Sequence, residues 1–344
     1  MFGGSLRKLQ LSGDPGTIGR EHGERLGGPV RAYLADRLQL AGDPFWSGRA
    51  EDPERIVTMA RRTLEHHERF SATLYEEMVA MAGASGITPA EAVVVGGFTD
   101  VVDVVRVGGQ RGIEEDDCTG LIDPGRPVLA QTWDMHASAG EYVYLFDLQP
   151  EHAPRALVQS TAGCLGQIGM NEVGIAVGIN NLTSMGRVGV TWPFVVRAVL
   201  EQANLDDAVK VVLDAELAGG HNFMLMGPDG RGCNIEAMPG SRHVTRVDDT
   251  PFVHTNHCLD PATMAEEGDR NPLGVESSAT RLERGRGGAS DLDRFFADDE
   301  INRAAATPHE VATCGAVKMY PADGALESVW GRPGEHPWER FTFE

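Results

Sequence analysis

Five cysteines in 344 residues, at 118, 164, 233, 258 and 314 with no CxxC among them, are too few and too scattered for a disulfide framework or a cysteine-based zinc site. No apolar run approaches the ~20 residues of a membrane span. The opening MFGGSLRKLQLSGDPG lacks the apolar core of a signal peptide. Basic residues are also scarce, 30 against 51 acidic, for a formal net charge of −21. A surface that negative repels phosphate backbones and anionic lipid. The expectation is a cytoplasmic protein with neither nucleic acid nor membrane as partner. An anionic substrate held by one or two local arginines stays open.

What is present is an ordinary globular balance, 41% hydrophobic and 24% charged, in a chain long enough for one large domain with an N-terminal addition or for two domains. Apolar residues recur at spacings of three and four over 17–40 and 52–84, which predicts helices there. A third helix is predicted over 88–106, where Thr88-Pro89 supplies a cap and a first-turn proline. The first part of the chain therefore reads as mostly helical. RGIEEDD at 111–117 has the composition of a solvated loop.

Beyond it come short strand-like runs at 128–132, 142–148, 156–160, 174–179, 223–227 and 233–237, punctuated by turns such as Pro228-Asp229-Gly230. Residues 192–217 read as two helices, the second capped by Asn204 with Asp207 three positions on. Residues 265–292, rich in Gly, Glu, Ser and Arg, read as a long loop. The pattern implies a layered core of strands and helices.

Cys118 stands where the helical part gives way to strands. A cysteine there is either inert packing or a nucleophile. Asp134 follows sixteen residues later in Gln131-Thr132-Trp133-Asp134, after a turn. A strand, a tight turn and a returning strand would set its carboxylate beside the cysteine, where it can orient a thiol or an amine.

Asp116-Asp117-Cys118-Thr119, Gln-Thr-Trp-Asp134, Gly166-Gln-Ile-Gly-Met-Asn-Glu-Val-Gly-Ile175, Gly178-Ile-Asn-Asn-Leu182 and His254-Thr-Asn-His257 occur in that order, preceded by Gly16-x-x-Gly19-x-x-x-Gly23. In this the chain resembles the isopenicillin-N (acyl-coenzyme A:6-aminopenicillanic acid) acyltransferase family of cysteine N-terminal-nucleophile (Ntn) hydrolases, distantly related to bile-salt hydrolases and penicillin V acylases. The resemblance implies an α+β fold, a four-layer αββα sandwich behind a mostly helical N-terminal segment. It also implies a precursor that cuts itself between Asp117 and Cys118 into residues 1–117 and 118–344, which stay associated as a heterodimer.

By the same resemblance Cys118 is the nucleophile and its freed α-amine the base. Asp134 orients both, Asn256 serves the oxyanion, and Asn180 is a second site asparagine. Arg281, in Ser277-Ser278-Ala-Thr-Arg281-Leu282, is the active-site arginine and a candidate for holding a substrate carboxylate. Thr119, Trp133 and His257 are the candidate substrate-binding residues. The partner is a small acyl donor or amide, acyl-CoA among the possibilities, with no cofactor and no metal.

Two positions depart from the relatives. Asp117 stands where the acyltransferase has glycine, and Gln131 where the bile-salt and penicillin V enzymes have arginine. Two alternatives follow from the residues: an uncleaved binding protein, favoured by Asp117, and a papain-like dyad of Cys118 with His257, 139 residues on. The blander readings make His254-x-x-His257-Cys258 hydrogen-bonding rather than metal-ligating and the other four cysteines structural. They also make Trp192 and Phe194 core, and His66 and His67 solvated residues of a charged helix face.

Overall fold

Leucines 9 and 11 are buried while their neighbours are exposed, so Lys8–Gly13 forms a strand, β1, in the computed structural model, which describes residues 5–48, 50–106, 118–184 and 186–343. The N-terminal segment is thus not helical from its start. Helices follow: α1 (Pro15–Ala41), α2 (Pro44–Ser47), α3 (Pro53–Arg61), α4 (Leu64–Phe70), α5 (Ala72–Ser85), α6 (Pro89–Gly96) and α7 (Phe98–Arg106). The run predicted as one helix over 52–84 is three. Ser71, in an extended conformation, ends α4 and caps α5 by accepting from Leu74 N. The Thr88–Glu91 pair forms a reciprocal capping box at the start of α6. The acidic loop 111–117, and Asp117 with it, lies outside the described residues.

The rest of the chain builds two sheets. Their strands are β2 (Gly120–Asp123), β3 (Val128–His136), β4 (Val143–Pro150), β5 (Ala156–Thr161), β6 (Ile168–Asn171), β7 (Ala176–Leu182), β8 (Gly220–Met226), β9 (Gly232–Ala237), β10 (Arg242–Val247), β11 (Phe252–His254), β12 (Val311–Tyr320), β13 (Ala325–Trp330) and β14 (Glu339–Thr342). One sheet runs β1-β4-β5-β6-β7-β8-β9-β10 and the other β11-β2-β3-β12-β13-β14. Among the named strands of the described residues, β1 pairs in parallel with β4 and the other pairs are antiparallel.

The inner faces meet directly. Gln131 of β3 bonds the backbone of Ile179 in β7, and Ser328 of β13 donates to Gln159 of β5 at 2.6 Å. Outside the larger sheet lie α1 and the helices α8 (Trp192–Leu200) and α9 (Leu205–Asp214), the last capped by Asn204 as expected. After the short α10 (Pro261–Met264), helices α11 (Pro272–Gly288) and α12 (Leu292–Ala297) cover the smaller sheet. There Leu282, Phe295 and Phe296 pack on the outward residues Leu121, Val128, Ala130, Val253 and Ala316. The result is the four-layer αββα sandwich.

Helix α11 replaces the loop expected over 265–292. Its buried face, Ser278, Arg281, Leu282, Gly285 and Gly288, has helical spacing but one apolar side chain, so hydrophobic periodicity could not reveal it. Gly285 makes the contact possible: a Cβ there would lie 2.8 Å from Val253 Cγ1. The same device joins α1 to α5, where a Cβ at Gly19 or Gly23 would strike the backbone oxygens of Glu77 and Met81.

Buried polar contacts fasten the N-terminal segment to the sandwich. Arg197 of α8 donates both guanidinium arms to Glu77 of α5 at 2.7 and 3.0 Å. His221 of β8 meets Asp100 of α7 at 2.7 Å, and Asp100 also accepts from Trp192 N. Asp103 accepts from Ser184 N and Oγ. His22 Nε2 accepts from Gly163 N at 2.9 Å. His67 is buried rather than solvated, with Nδ1 2.8 Å from Thr63 O and Nε2 accepting from Thr191 N.

Both of those histidines bind the sandwich as neutral rings. Burial, helped by the Arg197 charge, holds His22 down at about 3. Burial holds His67 at about 4. In the unfolded chain each takes a proton near 6.5. Below that value the unfolded state binds more protons than the folded one, so stability is complete above pH ~6.5 and is lost as pH falls toward 4. The expected slope is up to about 1.4 kcal/mol per pH unit for each ring. Urea midpoints measured across pH 7 to 4.5 should show it, and His67→Gln should flatten it. A level profile would show that these rings are not buried neutral.

Candidate active site

The β2–β3 hairpin places the first site residues. Its turn is tied by Gly125 N donating to Asp123 Oδ1, and its register sets Gly120 opposite Gln131. One step further out, Thr119 exchanges bonds with Thr132: Thr119 N to Oγ1 at 3.2 Å and Thr132 N to Thr119 O at 3.0 Å. Cys118 therefore comes to rest beside Asp134, whose N–H donates to Cys118 Sγ at 3.4 Å. Both residues are buried, 2% and 0% exposed.

The Cys118 carbonyl is gripped from two other layers. Asn180 Nδ2 of β7 donates to it at 3.3 Å, and Arg281 Nη1 of α11 at 2.8 Å. Arg281 also donates to Thr119 Oγ1 at 3.1 Å, to Asn256 Oδ1 at 3.1 Å and to Ser277 Oγ at 3.3 Å. A guanidinium only donates, so it fixes the Asn256 amide with its oxygen toward Arg281. Asn256 Nδ2 points the other way, to Asn181 O at 3.1 Å. Burial lowers Arg281 to about 10, and the nearby Asp134 and Cys118 oppose that fall, so the side chain stays charged at neutral pH.

Five of the residues named from sequence, Cys118, Asp134, Asn180, Asn256 and Arg281, thus form one cluster, with Thr119 supporting Arg281. Trp133 alternates to the other side of β3 and is buried in the main core. His257 bonds Ser278 Oγ at 2.7 Å and Thr255 Oγ1 at 3.4 Å, rather than Cys118. Burial lowers it to about 4. A papain-like dyad has no geometric support. Ser278 Oγ also accepts from Asn256 N at 3.0 Å, so His257 braces Asn256 from behind. His254 pairs with Glu236 at 3.0 Å; against the cost of burial, that ring and the Thr263 hydroxyl hold Glu236 down at about 2.

Sequence reading missed three supports. Asn222 Nδ2 donates to Asn180 Oδ1 at 3.2 Å and to Asn234 Oδ1 at 2.8 Å, a buried asparagine chain on the inner face of the larger sheet. Gln131, the departure from arginine, clamps the residue before Asn180. It accepts from Ile179 N at 2.8 Å and donates to Ile179 O. Gly178 leaves the room, since a Cβ there would lie 2.4 Å from Gln131 Oε1. The available signal was compositional: asparagine and glutamine are poorly suited to buried strands unless they are hydrogen-bonded.

Residues 122–294, half of the chain, match the model of the acyl-coenzyme A:6-aminopenicillanic acid acyl-transferase family. The chain belongs to that family. A curated relative from Emericella nidulans, the acyl-coenzyme A:6-aminopenicillanic-acid-acyltransferase 40 kDa form, is 23% identical over 259 residues, 73% of this chain and 69% of its own.

Likeness to solved structures is slighter. A conjugated bile acid hydrolase variant from Clostridium perfringens aligns at 10% identity and a TM-score of 0.46, covering 66% of this chain and 97% of that one. A penicillin V acylase from Agrobacterium tumefaciens aligns at 11% and 0.38, covering 62% and 82%. Scores this low carry nothing about the site of this acyltransferase-family chain.

Because every arm of Arg281 is engaged within the fold, its first role is to organise the site. It is not left open for a substrate carboxylate. Arg281→Met should leave Asn256 Oδ1 without its Arg281 donor and the Cys118 carbonyl with only the longer bond from Asn180. The expected loss is about 2–4 kcal/mol of unfolding free energy, because each deserted buried acceptor costs ~1–3 kcal/mol. A urea titration showing less than about 0.5 kcal/mol would refute the network.

Proposed function

We propose that the chain is a self-processing cysteine enzyme that transfers or hydrolyses acyl groups at amide or thioester bonds, with Cys118 as nucleophile. The observation that carries this reading is the Cys118 cluster itself. Its sulfur rests on the Asp134 N–H, and its carbonyl is locked by Arg281 and Asn180 immediately after the segment to be cut.

In the unprocessed chain the Cys118 nitrogen is a peptide amide and cannot take a proton. The first reaction is therefore internal. The Cys118 sulfur attacks the Asp117 carbonyl carbon, the carbon–nitrogen bond breaks, and the α-amine is released with the thiol proton. Water then hydrolyses the resulting thioester, which leaves a carboxylate at Asp117 and a free thiol at Cys118. The side chain of Asp117, where the acyltransferase has glycine, restricts the backbone at the scissile carbonyl and is expected to slow this step.

Once free, the α-amine titrates near ~8 and serves as base for the thiol beside it. The thiolate attacks the acyl carbonyl of the substrate. The Asn256 amide and a backbone N–H stabilise the oxyanion, a type of donor worth about 10²–10³ in rate. The protonated amine gives its proton to the leaving amine or thiol, and water or an amine takes the acyl group from sulfur. The acyl donor is a small amide or a thioester such as acyl-CoA. The contacts of Glu77, Asp100, Asp103, His22 and His67 with the sandwich support lasting association of the two pieces after cleavage.

Denaturing intact-mass analysis tests the processing step. Species of roughly 12–13 and 24–25 kDa, the chain fractions of 37.0 kDa, should appear, the larger beginning at Cys118. Under native conditions they should migrate together. Cys118→Ala should remain a single chain and lose turnover. An intact wild-type protein without acyl-transfer activity would favour the uncleaved binding protein. Turnover by Cys118→Ala would eliminate Cys118 as nucleophile.

A further inference from the structure

Glu236 of β9 is 1% exposed, and both oxygens of its carboxylate are met by donors. Oε1 accepts from His254 Nε2 at 3.0 Å and from Leu259 N at 2.6 Å. Oε2 accepts from Asp260 N at 3.1 Å and from Thr263 Oγ1. One side chain of the larger sheet therefore ties down the segment from His254 to Thr263. Stability alone does not call for a charge there, because replacing a buried ion pair by well-packed apolar residues is often neutral or stabilising. What the charge orients is the better account of it.

Its line of action runs to Asn256. The second ring nitrogen of His254, Nδ1, lies 2.7 Å from Thr255 O. A carboxylate and a carbonyl only accept, so both ring nitrogens donate and the imidazole bridges Glu236 to the Thr255 carbonyl. That carbonyl belongs to the peptide group joining Thr255 to Asn256. The other polar atom of the same group, Asn256 N, donates to Ser278 Oγ at 3.0 Å. The peptide plane is thus gripped at both ends, by Glu236 through His254 and by α11 through Ser278. A planar group gripped on both sides is held against rotation, and the Asn256 side chain leaves it in one direction. One N–H of Asn256 Nδ2 goes to Asn181 O at 3.1 Å. The other serves the oxyanion in the proposed reaction.

The same strand steers the other asparagine. Asn234 lies two residues before Glu236, hence on the same face of β9. Its Oδ1 accepts from Asn222, which donates also to Asn180. Asn180 and Asn256 are thereby both set from β9.

We propose that Glu236 is a positioning residue: acting through His254, it sets the plane of the Thr255–Asn256 peptide and so aims the Asn256 amide at the oxyanion. This rests on Cys118 as nucleophile and on Asn256 as oxyanion donor.

The test compares two reactions of Cys118 in the purified full-length protein. p-Nitrophenyl acetate acylates the thiol through a tetrahedral oxyanion and releases p-nitrophenolate. Iodoacetamide alkylates it by displacing iodide, with no oxyanion. Cys118→Ala supplies the background for both. Glu236→Gln keeps the size, but an amide has one acceptor oxygen and two N–H groups where the carboxylate had two acceptors. It should slow acylation about 10- to 100-fold, the scale of a small misplacement of a reacting group, and change alkylation less than about twofold. Asn256→Ala should slow acylation about 10²–10³-fold. Adding Glu236→Gln to it should cost nothing more, because the two act along one path. If Glu236→Gln does not fold, His254→Gln, whose single amide cannot reach both acceptors, replaces it with the same expectations. Acylation close to wild type, an equal fall in alkylation, or a loss that persists in full beside Asn256→Ala would overturn the proposal. Wild-type acylation no faster than that of Cys118→Ala would remove the Cys118 reading and this one with it. Wild-type acylation that requires Cys118 but is indifferent to Glu236→Gln would remove this one alone.

Discussion

The carbonyl oxygen of Cys118 is the point on which the site depends. It is buried where water cannot satisfy it, so protein donors must. They come from different layers, Asn180 from the larger sheet and Arg281 from the helix outside the smaller one. Each donor is oriented in turn, Asn180 by Asn222 and by the Gln131 clamp on Ile179, Arg281 by Thr119, Asn256 and Ser277. A half-satisfied buried network is worse than none. The two sheets and α11 can therefore assemble in one registry, and that registry positions the cysteine.

The N-terminal segment follows the same rule. Its fixtures in the sandwich are buried pairs: Glu77 with Arg197, Asp100 with His221, His67 with Thr191. Breaking such a pair strands a charge or a donor away from water. Under the proposed function, cutting the chain before Cys118 removes one covalent bond and leaves these contacts in place.

Legibility in the sequence tracked the range of the interactions. Caps such as Thr88–Glu91 and Asn204–Asp207 act within four residues and were readable. The hairpin that sets Asp134 beside Cys118 spans sixteen residues and a turn, and was readable too. Helix α11 was not, because its packing face is built from glycine, serine, one arginine and a single leucine. Strand β1 was not, because its partner β4 lies more than a hundred residues away. His67 looked solvated among charges until Thr191 supplied its second partner.

By itself, then, the sequence determined the order of local elements, the pairing of Cys118 with Asp134, and through its motifs the acyltransferase family. Those are properties of short spacings and of residue types in sequence order. Only the tertiary structure decided that Arg281, 163 residues from Cys118, engages its carbonyl, that Gln131 binds across the sheets, and that Arg37 is buried against the rings of Tyr33 and Phe98. The physical reason is desolvation. Whether a polar side chain is free for a substrate or committed to the fold depends on which distant groups share its dry environment, and no local pattern encodes that.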